Sequence, residues 1–383
     1  MIKEVDTIII GGGIAGLACA DRLHSAKRCF KLISSQIGGR IITPITSDVN
    51  YGAFFVTSEY KNVKKFVQIE RQIRLSDLVF HRGKLAYSFW NVNLLWCLPQ
   101  AIRFISLLYK FRQHYRKFKD ASLRISQAEA IRSEPYLAKI YYQSTRDFIN
   151  EHRLERLTKT YLHEMLYAMS FLPTYEGSAF GFLQWSSQLL LSRIYEFQLK
   201  KKELMSRFQK WIIKDEVVKI KRMRGVYYLN TKKGRMYCAK HVVIATQPWI
   251  AKKLLRLKRM NNTLSAHMFH LKGRLRPEWQ KGREELFNPK SKTCVISKQR
   301  DGSYLIYTRT AYVDFGHFFE QYSIIGKKYW NPAFPCPGPI LLDAEQGPNL
   351  YLAGDYNIGG LEDSCITGIY AANKIIESSR REQ

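Results

Sequence analysis

The run Val5-Asp6-Thr7-Ile8-Ile9-Ile10 leads straight into Gly11-Gly12-Gly13-Ile14-Ala15-Gly16, and no other part of the chain limits the possible folds as strongly. An apolar run, a G-x-G-x-x-G and a small-residue helical start are what a strand, a tight turn and a helix need to hold a dinucleotide pyrophosphate. Gly11 permits the turn, Gly13 lets the backbone approach the phosphates, and Gly16 lets helix and strand pack closely. Ile14 and Ala15 open the helix, whose N-terminal N–H groups then face the anion. Many α/β proteins carry a glycine-rich loop. Here Cys29-Phe30-Lys31-Leu32-Ile33 follows at the distance expected of the second strand of a βαβ unit, which favours the dinucleotide reading.

With 383 residues, 46% of them apolar and 13% aromatic, the chain is too long for one ordinary compact domain, so two interleaved domains are expected. Sixty-one Lys and Arg against 32 Asp and Glu give a formal charge of +29, which favours anionic surfaces in general. The basic clusters (103–119, 200–202, 219–224 and 252–259) carry no helix-turn-helix, zinc-finger or RNP-like pattern, so no specific nucleic-acid partner is expected. Seven cysteines are scattered singly without a C-x-x-C, as suits buried thiols in a reducing compartment. His267 and His270 fall in a strand-like segment with no carboxylate or thiolate partner nearby, and read as core or surface histidines; no metal site is expected. The N-terminus is an acid-containing strand and lacks the pattern of a signal peptide, so a cytoplasmic location is expected.

Farther along, Gln36-Ile37-Gly38-Gly39-Arg40 and Tyr51-Gly52-Ala53-Phe54-Phe55 read as loop and short strand. From Asn62 to Arg207 the periodicity is mostly helical: Leu157, Tyr161, Met165 and Ala168 share a face, Pro173 stops that run, and a second runs through Leu183, Leu189 and Ile194. Strand signals return at Trp211–Ile213, Val217–Ile220, Val226–Leu229 and Met236–Lys240, ending in His241–Pro248, with Lys232-Lys233-Gly234 as a hairpin turn. Ala266–Gly326 reads as mixed strand and loop. Asn349–Asp355 reads as a strand entering a glycine-rich turn, then a helix from about Leu361.

Four blocks in order resemble the flavin-dependent amine oxidase, protoporphyrinogen oxidase and phytoene desaturase superfamily. They are Gly11–Gly16; Gly38-Gly39-Arg40, like the family's G-G-R; Val217-Val218-Lys219-Ile220 with Val242–Pro248, like its V-x-x-I strand and V-I-x-A-x-P crossover; and Leu350–Asp355 with Leu361–Gly368, like its F-A-G-D and M-E-G-A-I-x-S-G. The resemblance implies an α/β fold: a Rossmann-like FAD-binding domain of the glutathione-reductase type (1–60, 200–260, 340–383) with a discontinuous α+β substrate domain (61–199, 261–339) that includes a helical insert. It further implies non-covalent FAD contacting Gly11, Gly13, Ile14, Ala15, Gly16, Gly38, Gly39, Arg40, Val217, Gly354, Asp355 and Glu362. Arg40 would lie near the phosphates, Asp355 would accept from a ribityl or ribose hydroxyl, and the helix after Gly360 would point its N-terminus at the flavin pyrimidine.

Three features depart from the family's pattern. Its second strand ends in a glutamate for the adenosine ribose, and Ser34 or Ser35 would stand in here. Its glycine pair before the V-x-x-I strand is replaced by Gln198–Leu204. Amine oxidases of the family place a lysine, water-linked to flavin N5, in the strand corresponding to Ala266–His270; Lys272 is out of register, and no catalytic residue is assigned. Cys336 lacks the Gly-Gly-Cys-Tyr setting of a covalent flavin site.

The expected substrate cavity draws on an aromatic set, of which Tyr175, Trp185, Tyr307, Trp330, Phe334 and Tyr356 are the chosen candidates. Core packing is the competing role for each ring. Three functions follow from the resemblance: an oxidase or desaturase removing hydride from a small lipophilic molecule, an amine oxidase, or a non-catalytic binding relative. Finally, Phe89–Lys119 joins an aromatic and leucine-rich run to Lys110, Arg112, Arg116, Lys117 and Lys119. Asn91, Asn93, Pro99, Gln100 and Arg103 interrupt it too often for a transmembrane helix. It fits either peripheral contact with an anionic membrane or a helix packed on the substrate domain.

Overall fold

The first strand, Lys3–Gly12, lies inside an eight-stranded sheet in a computed structural model that describes residues 3–44, 49–83, 85–336 and 338–381. Phe30–Ile37 and Met236–Ile244 flank it in parallel, and Ile212–Ile213 extends the parallel arrangement beyond Phe30–Ile37. Parallel neighbours need a crossover, which the helix Ile14–Ser25 supplies. Such strands are covered on both faces, which is why Ile8, Ile9, Leu32, Val242 and Val243 can all be apolar in succession and fully buried.

Met236–Ile244 serves two neighbours on one edge. Its first residues pair antiparallel with Val226–Thr231, which pairs in turn with Val217–Met223; its last three pair in parallel with Leu350–Leu352. The chain therefore leaves the parallel sheet through an antiparallel ribbon and returns to it at its C-terminal end. The helix that follows, Leu361–Arg381, lies against Ile14–Ser25 so closely that a Cβ at Gly368 would fall 2.0 Å from the Ala15 carbonyl oxygen.

A second, seven-stranded sheet runs in the order Phe319–Pro335, Thr263–Leu275, Tyr304–Thr308, Thr293–Lys298, Glu284–Phe287, Leu78–Arg82, Leu85–Ser88. It is antiparallel except where Glu284–Phe287 meets Leu78–Arg82. The helical layer beside it begins with Asn93–Ala121, whose buried residues Cys97, Phe104, Leu108, Phe111, Tyr115 and Phe118 follow the stripe of a helix packed on one face. Its later helices start at capping residues that satisfy free N–H groups: Ser126, Ser144 and Ser178 accept from Glu129, Asp147 and Gly181.

The region 62–207 is mostly helical, as expected, but strands lie towards both of its ends. Val67–Ile73, Leu78–Arg82, Leu85–Ser88 and Ile194–Leu199 are strands. Ile194, taken as the end of a helical run, pairs with Thr57 and Ile73, while the helix Ala179–Leu191 stops before it. Apart from Leu85–Ser88, which forms a hairpin with Leu78–Arg82, these strands have partners far away in sequence, as with Val79 and Glu285, so local periodicity carries little sign of them.

Candidate active site

The turn after the first strand leaves one open place. Gly11 has φ +111°, and a Cβ there would fall 2.2 Å from the Ala245 carbonyl oxygen; a Cβ at Gly16 would fall 2.0 Å from that of Gly11. At Gly13 the nearest atom to an added Cβ is Gly39 Cα, 3.9 Å away. Gly13 is also the N-cap of Ile14–Ser25, with no side chain capping that helix and no acid in its first turn. The first N–H groups of a helix need partners, so this end is prepared for an anion from outside the chain.

In front of it is a cavity of about 710 Å³, lined by residues from Gly11 to Ala15, Gly38-Gly39-Arg40, Val217, Gly354-Asp355 and Gly360-Leu361. Arg40 and Asp355, 315 residues apart in sequence, form an ion pair, and Arg40 also donates to the Ala333 carbonyl at 3.2 Å. The strand Leu350–Leu352 delivers Gly354, whose N–H donates to Thr367 Oγ1 at 2.8 Å, and this fixes the turn that presents Asp355. Ser34 lines the cavity but its hydroxyl is committed within the turn: it accepts from Gly12 N–H at 3.0 Å and donates to the Gln36 carbonyl at 2.7 Å. Ser35 and Gln36 line the same end, next to Asp215. Burial works against the Asp215 carboxylate, yet N–H groups of Glu216 and Lys233, at 2.8 and 3.3 Å, hold its pKa below the ordinary range.

The other end of the cavity is aromatic. Trp185, Tyr307, Trp330 and Phe334 all reach it, with Trp185 and Phe334 rings 5.3 Å apart. Phe54 and Phe171 stack on Tyr307 at 6.1 and 5.8 Å and complete the wall, together with Phe55 and Met169. Phe54, Phe55 and Met169 were not among the sequence candidates, since aromatic and methionine side chains beside a glycine or on a helix look like ordinary core. Burial pushes the Tyr307 phenol well above its usual range, so it stays neutral. Among the described lining residues the charged ones are Arg40, Asp355, Asp215, Glu216, Lys232 and Lys253. The first two neutralise each other; Asp215 and Glu216 precede the strand Val217–Met223, Lys232 follows Val226–Thr231, and Lys253 lies on the helix Pro248–Leu255.

Several sequence candidates are placed elsewhere. Tyr356 is buried outside this cavity and its hydroxyl donates to the Thr246 carbonyl at 2.6 Å. Tyr175 is packed against His163 and Arg146. Glu362 is turned away: its carboxylate accepts from the N–H groups of Lys61, Asn62 and Val63 at 2.9 to 3.1 Å. Lys272 is exposed, paired across the sheet with Ser323. His270 is a core histidine whose two nitrogens meet Tyr51 Oη at 2.8 Å and Ser303 Oγ at 2.7 Å, and burial lowers its pKa. Cys336 does not line the cavity, and burial lifts its thiol pKa to about 11.

A buried polar cluster holds the start of the C-terminal helix against the cavity. Tyr115 Oη donates to Asp363 at 2.6 Å, and Gln184 Nε2 donates to Tyr115 Oη and to the Gly359 carbonyl at 3.1 and 2.7 Å. Burial raises the Asp363 pKa to about 7. With that anchor behind it, the turn at Gly360 leaves Leu361 and Ser364 facing the cavity.

A parallel Rossmann-type sheet with an open anion site, joined to a second sheet and a helical layer by one continuous cleft, defines a dinucleotide-binding two-domain fold. Residues 9–69 match the NAD(P)-binding Rossmann-like domain family. No curated protein matches the chain. Among solved structures, putrescine oxidase bound to putrescine superposes with a TM-score of 0.68 at 10% identity, over 98% of this chain and 100% of that one. Cyclohexylamine oxidase from Brevibacterium oxydans IH-35A superposes with a TM-score of 0.69 at 15% identity, again over 98% and 100%. The chain has the fold these two amine oxidases share.

Proposed function

We propose that this chain is an FAD-dependent oxidoreductase that binds the dinucleotide non-covalently and oxidises a small monoamine with an apolar body. The observation that carries the proposal is the single cleft running from an uncapped helix N-terminus to an aromatic wall. The residues fit the cofactor. The open space at Gly13 admits a pyrophosphate, the glycine pair Gly38-Gly39 abuts the same turn, and Asp355 stands where a hydroxyl can donate to it. A raised thiol pKa and a position off the cleft argue against a flavin bond to Cys336.

When bound, FAD supplies a two-electron acceptor for hydride from the carbon next to nitrogen. The chain's own contribution is orientation and exclusion of water. Trp185, Tyr307 and Phe334 offer flat apolar surface to the substrate body. An uncharged wall also disfavours an ammonium ion, so the amine is held as its free base. A diamine is a poorer fit, because its second ammonium would be buried with no carboxylate among the described residues of the aromatic end.

Anaerobic mixing of the flavin-loaded protein with cyclohexylamine, benzylamine or putrescine tests this. The monoamines are expected to bleach the flavin absorbance, with putrescine slower by about a hundredfold because of its unpaired charge. Faster bleaching by putrescine would overturn the monoamine assignment. Bleaching by an isoprenoid or porphyrinogen and by no amine would establish the lipophilic-substrate desaturase instead.

A further inference from the structure

The helix Asn93–Ala121 changes character along its outward face. Of the seven large hydrophobic residues more than 60% exposed among those described, six fall between positions 85 and 102: Leu85, Trp90, Val92, Leu95, Trp96 and Ile102. Beyond Ile102 the exposed positions as far as Lys117 are Arg103, Ser106, Tyr109, Lys110, Gln113, Arg116 and Lys117, polar or basic but for Tyr109, while the inward stripe from Phe104 to Phe118 stays buried. The sequence expectation treated Phe89–Lys119 as one segment that is either membrane-facing or packed. The structure divides it: the helix is packed along its whole length, and only its first turns, with the strand hairpin before it, present an uncovered apolar tip.

We infer that this tip docks on an anionic lipid surface, dipping Trp90, Leu95, Trp96 and Ile102 into the headgroup region. The charge pattern selects that occupant. No Asp or Glu occurs from Leu85 to Lys119. Arg103 and Arg156 stand at the edge of the apolar tip and both are exposed: Arg103 follows Ile102 on the helix and donates to the His152 carbonyl at 3.0 Å, and Arg156 donates to the Trp96 carbonyl at 3.3 Å. Glu151 and Glu155 are the carboxylates of that neighbouring turn, and Glu151 is paired with Lys139 at 3.2 Å. Exposed tryptophans beside a cationic rim match an interface in which rings sit at headgroup depth and lysine and arginine meet lipid phosphate. Among the described residues no helix is long and apolar enough to cross a membrane, so the contact is peripheral. Arg112 and Arg116 are engaged by Glu59, which leaves them a structural role.

A strongly basic protein adheres to anionic vesicles by charge alone, so the decisive variant changes no charge. Full-length protein and the Leu95→Ser/Trp96→Ser double variant are to be sedimented with vesicles of phosphatidylcholine alone, or with roughly 30% phosphatidylserine added. The expected result is binding to the anionic vesicles, weakened about tenfold or more in the double variant. A Trp90→Phe/Trp96→Phe variant should lose most of the tryptophan quenching produced by brominated lipid. An unchanged far-UV circular dichroism spectrum and melting temperature show that the variants are folded. Equal sedimentation of wild type and the serine variant, or equal binding to neutral vesicles, would overturn the proposal. So would a wild-type dimer that dissociates on Leu95→Ser/Trp96→Ser and ignores lipid, since a second copy would then cover the tip.

Discussion

A Gly13→Val variant is expected to fold, elute like the wild type and carry less than about a tenth of its flavin, because the added side chain occupies space that the chain itself does not use. Gly13 has φ −76° and ψ −179°, an extended conformation open to any residue, and its Cβ position meets nothing closer than 3.9 Å. Stability of the flavin-free form should change by no more than about 1 kcal/mol. The N–H groups of Ile14–Ser25 still point at the cavity, but a branched side chain stands between them and a pyrophosphate. Flavin content after reconstitution, set beside thermal melting of the flavin-free proteins, measures both halves of the prediction. A variant as yellow as the wild type would remove Gly13 from the binding site.

Gly16→Ala, three residues away and a smaller change, is expected to fail in the opposite manner. Its methyl group would lie 2.0 Å from the Gly11 carbonyl oxygen, a backbone atom, so strand and helix must separate. Gly11 cannot yield easily, since it already holds φ +111° against Ala245. Overpacking a well-filled interior costs about 1–3 kcal/mol and more where backbone must move. On a fold of marginal stability this lowers Tm by roughly 5 °C or more, or leaves the protein insoluble. Flavin loss here is secondary to loss of the fold, and melting of the flavin-free state separates the two variants. A Gly16→Ala protein that melts with the wild type would show that the strand and helix are not in the contact described.

The difference between these two glycines also marks what is legible in a sequence. Gly11 and Gly16 were readable because a turn and a close approach impose glycine at a fixed spacing from a strand, while Gly38 and Gly354 entered with the family resemblance. Arg40 and Asp355 were placed near the same ligand by resemblance, while their ion pair joins residues 315 apart and has no local signature. Glu362 shows the limit of carrying over a motif: one step along a helix turns the side chain by roughly 100°. Leu361 and Ser364 therefore face the cavity while Glu362 receives the N–H groups of Lys61, Asn62 and Val63. The aromatic wall was legible in part: Trp185, Tyr307, Trp330 and Phe334 line the cavity, whereas Tyr175 and Tyr356 do not. Phe54 and Phe171 become cavity residues only because both stack on Tyr307, which arrives from a strand in the second sheet. The strands Val67–Ile73 and Leu78–Arg82 escaped notice for the same reason, as partners of theirs come from 194–199 and 284–287.

Non-covalent retention of a flavin dinucleotide in the cleft is tested most directly by the absorption spectrum of the purified protein before and after acid precipitation. The expected result is a yellow protein whose precipitate is white and whose supernatant contains FAD, equimolar with the chain after reconstitution. A colourless protein that takes up no FAD, or a flavin that stays with the precipitate, would contradict it.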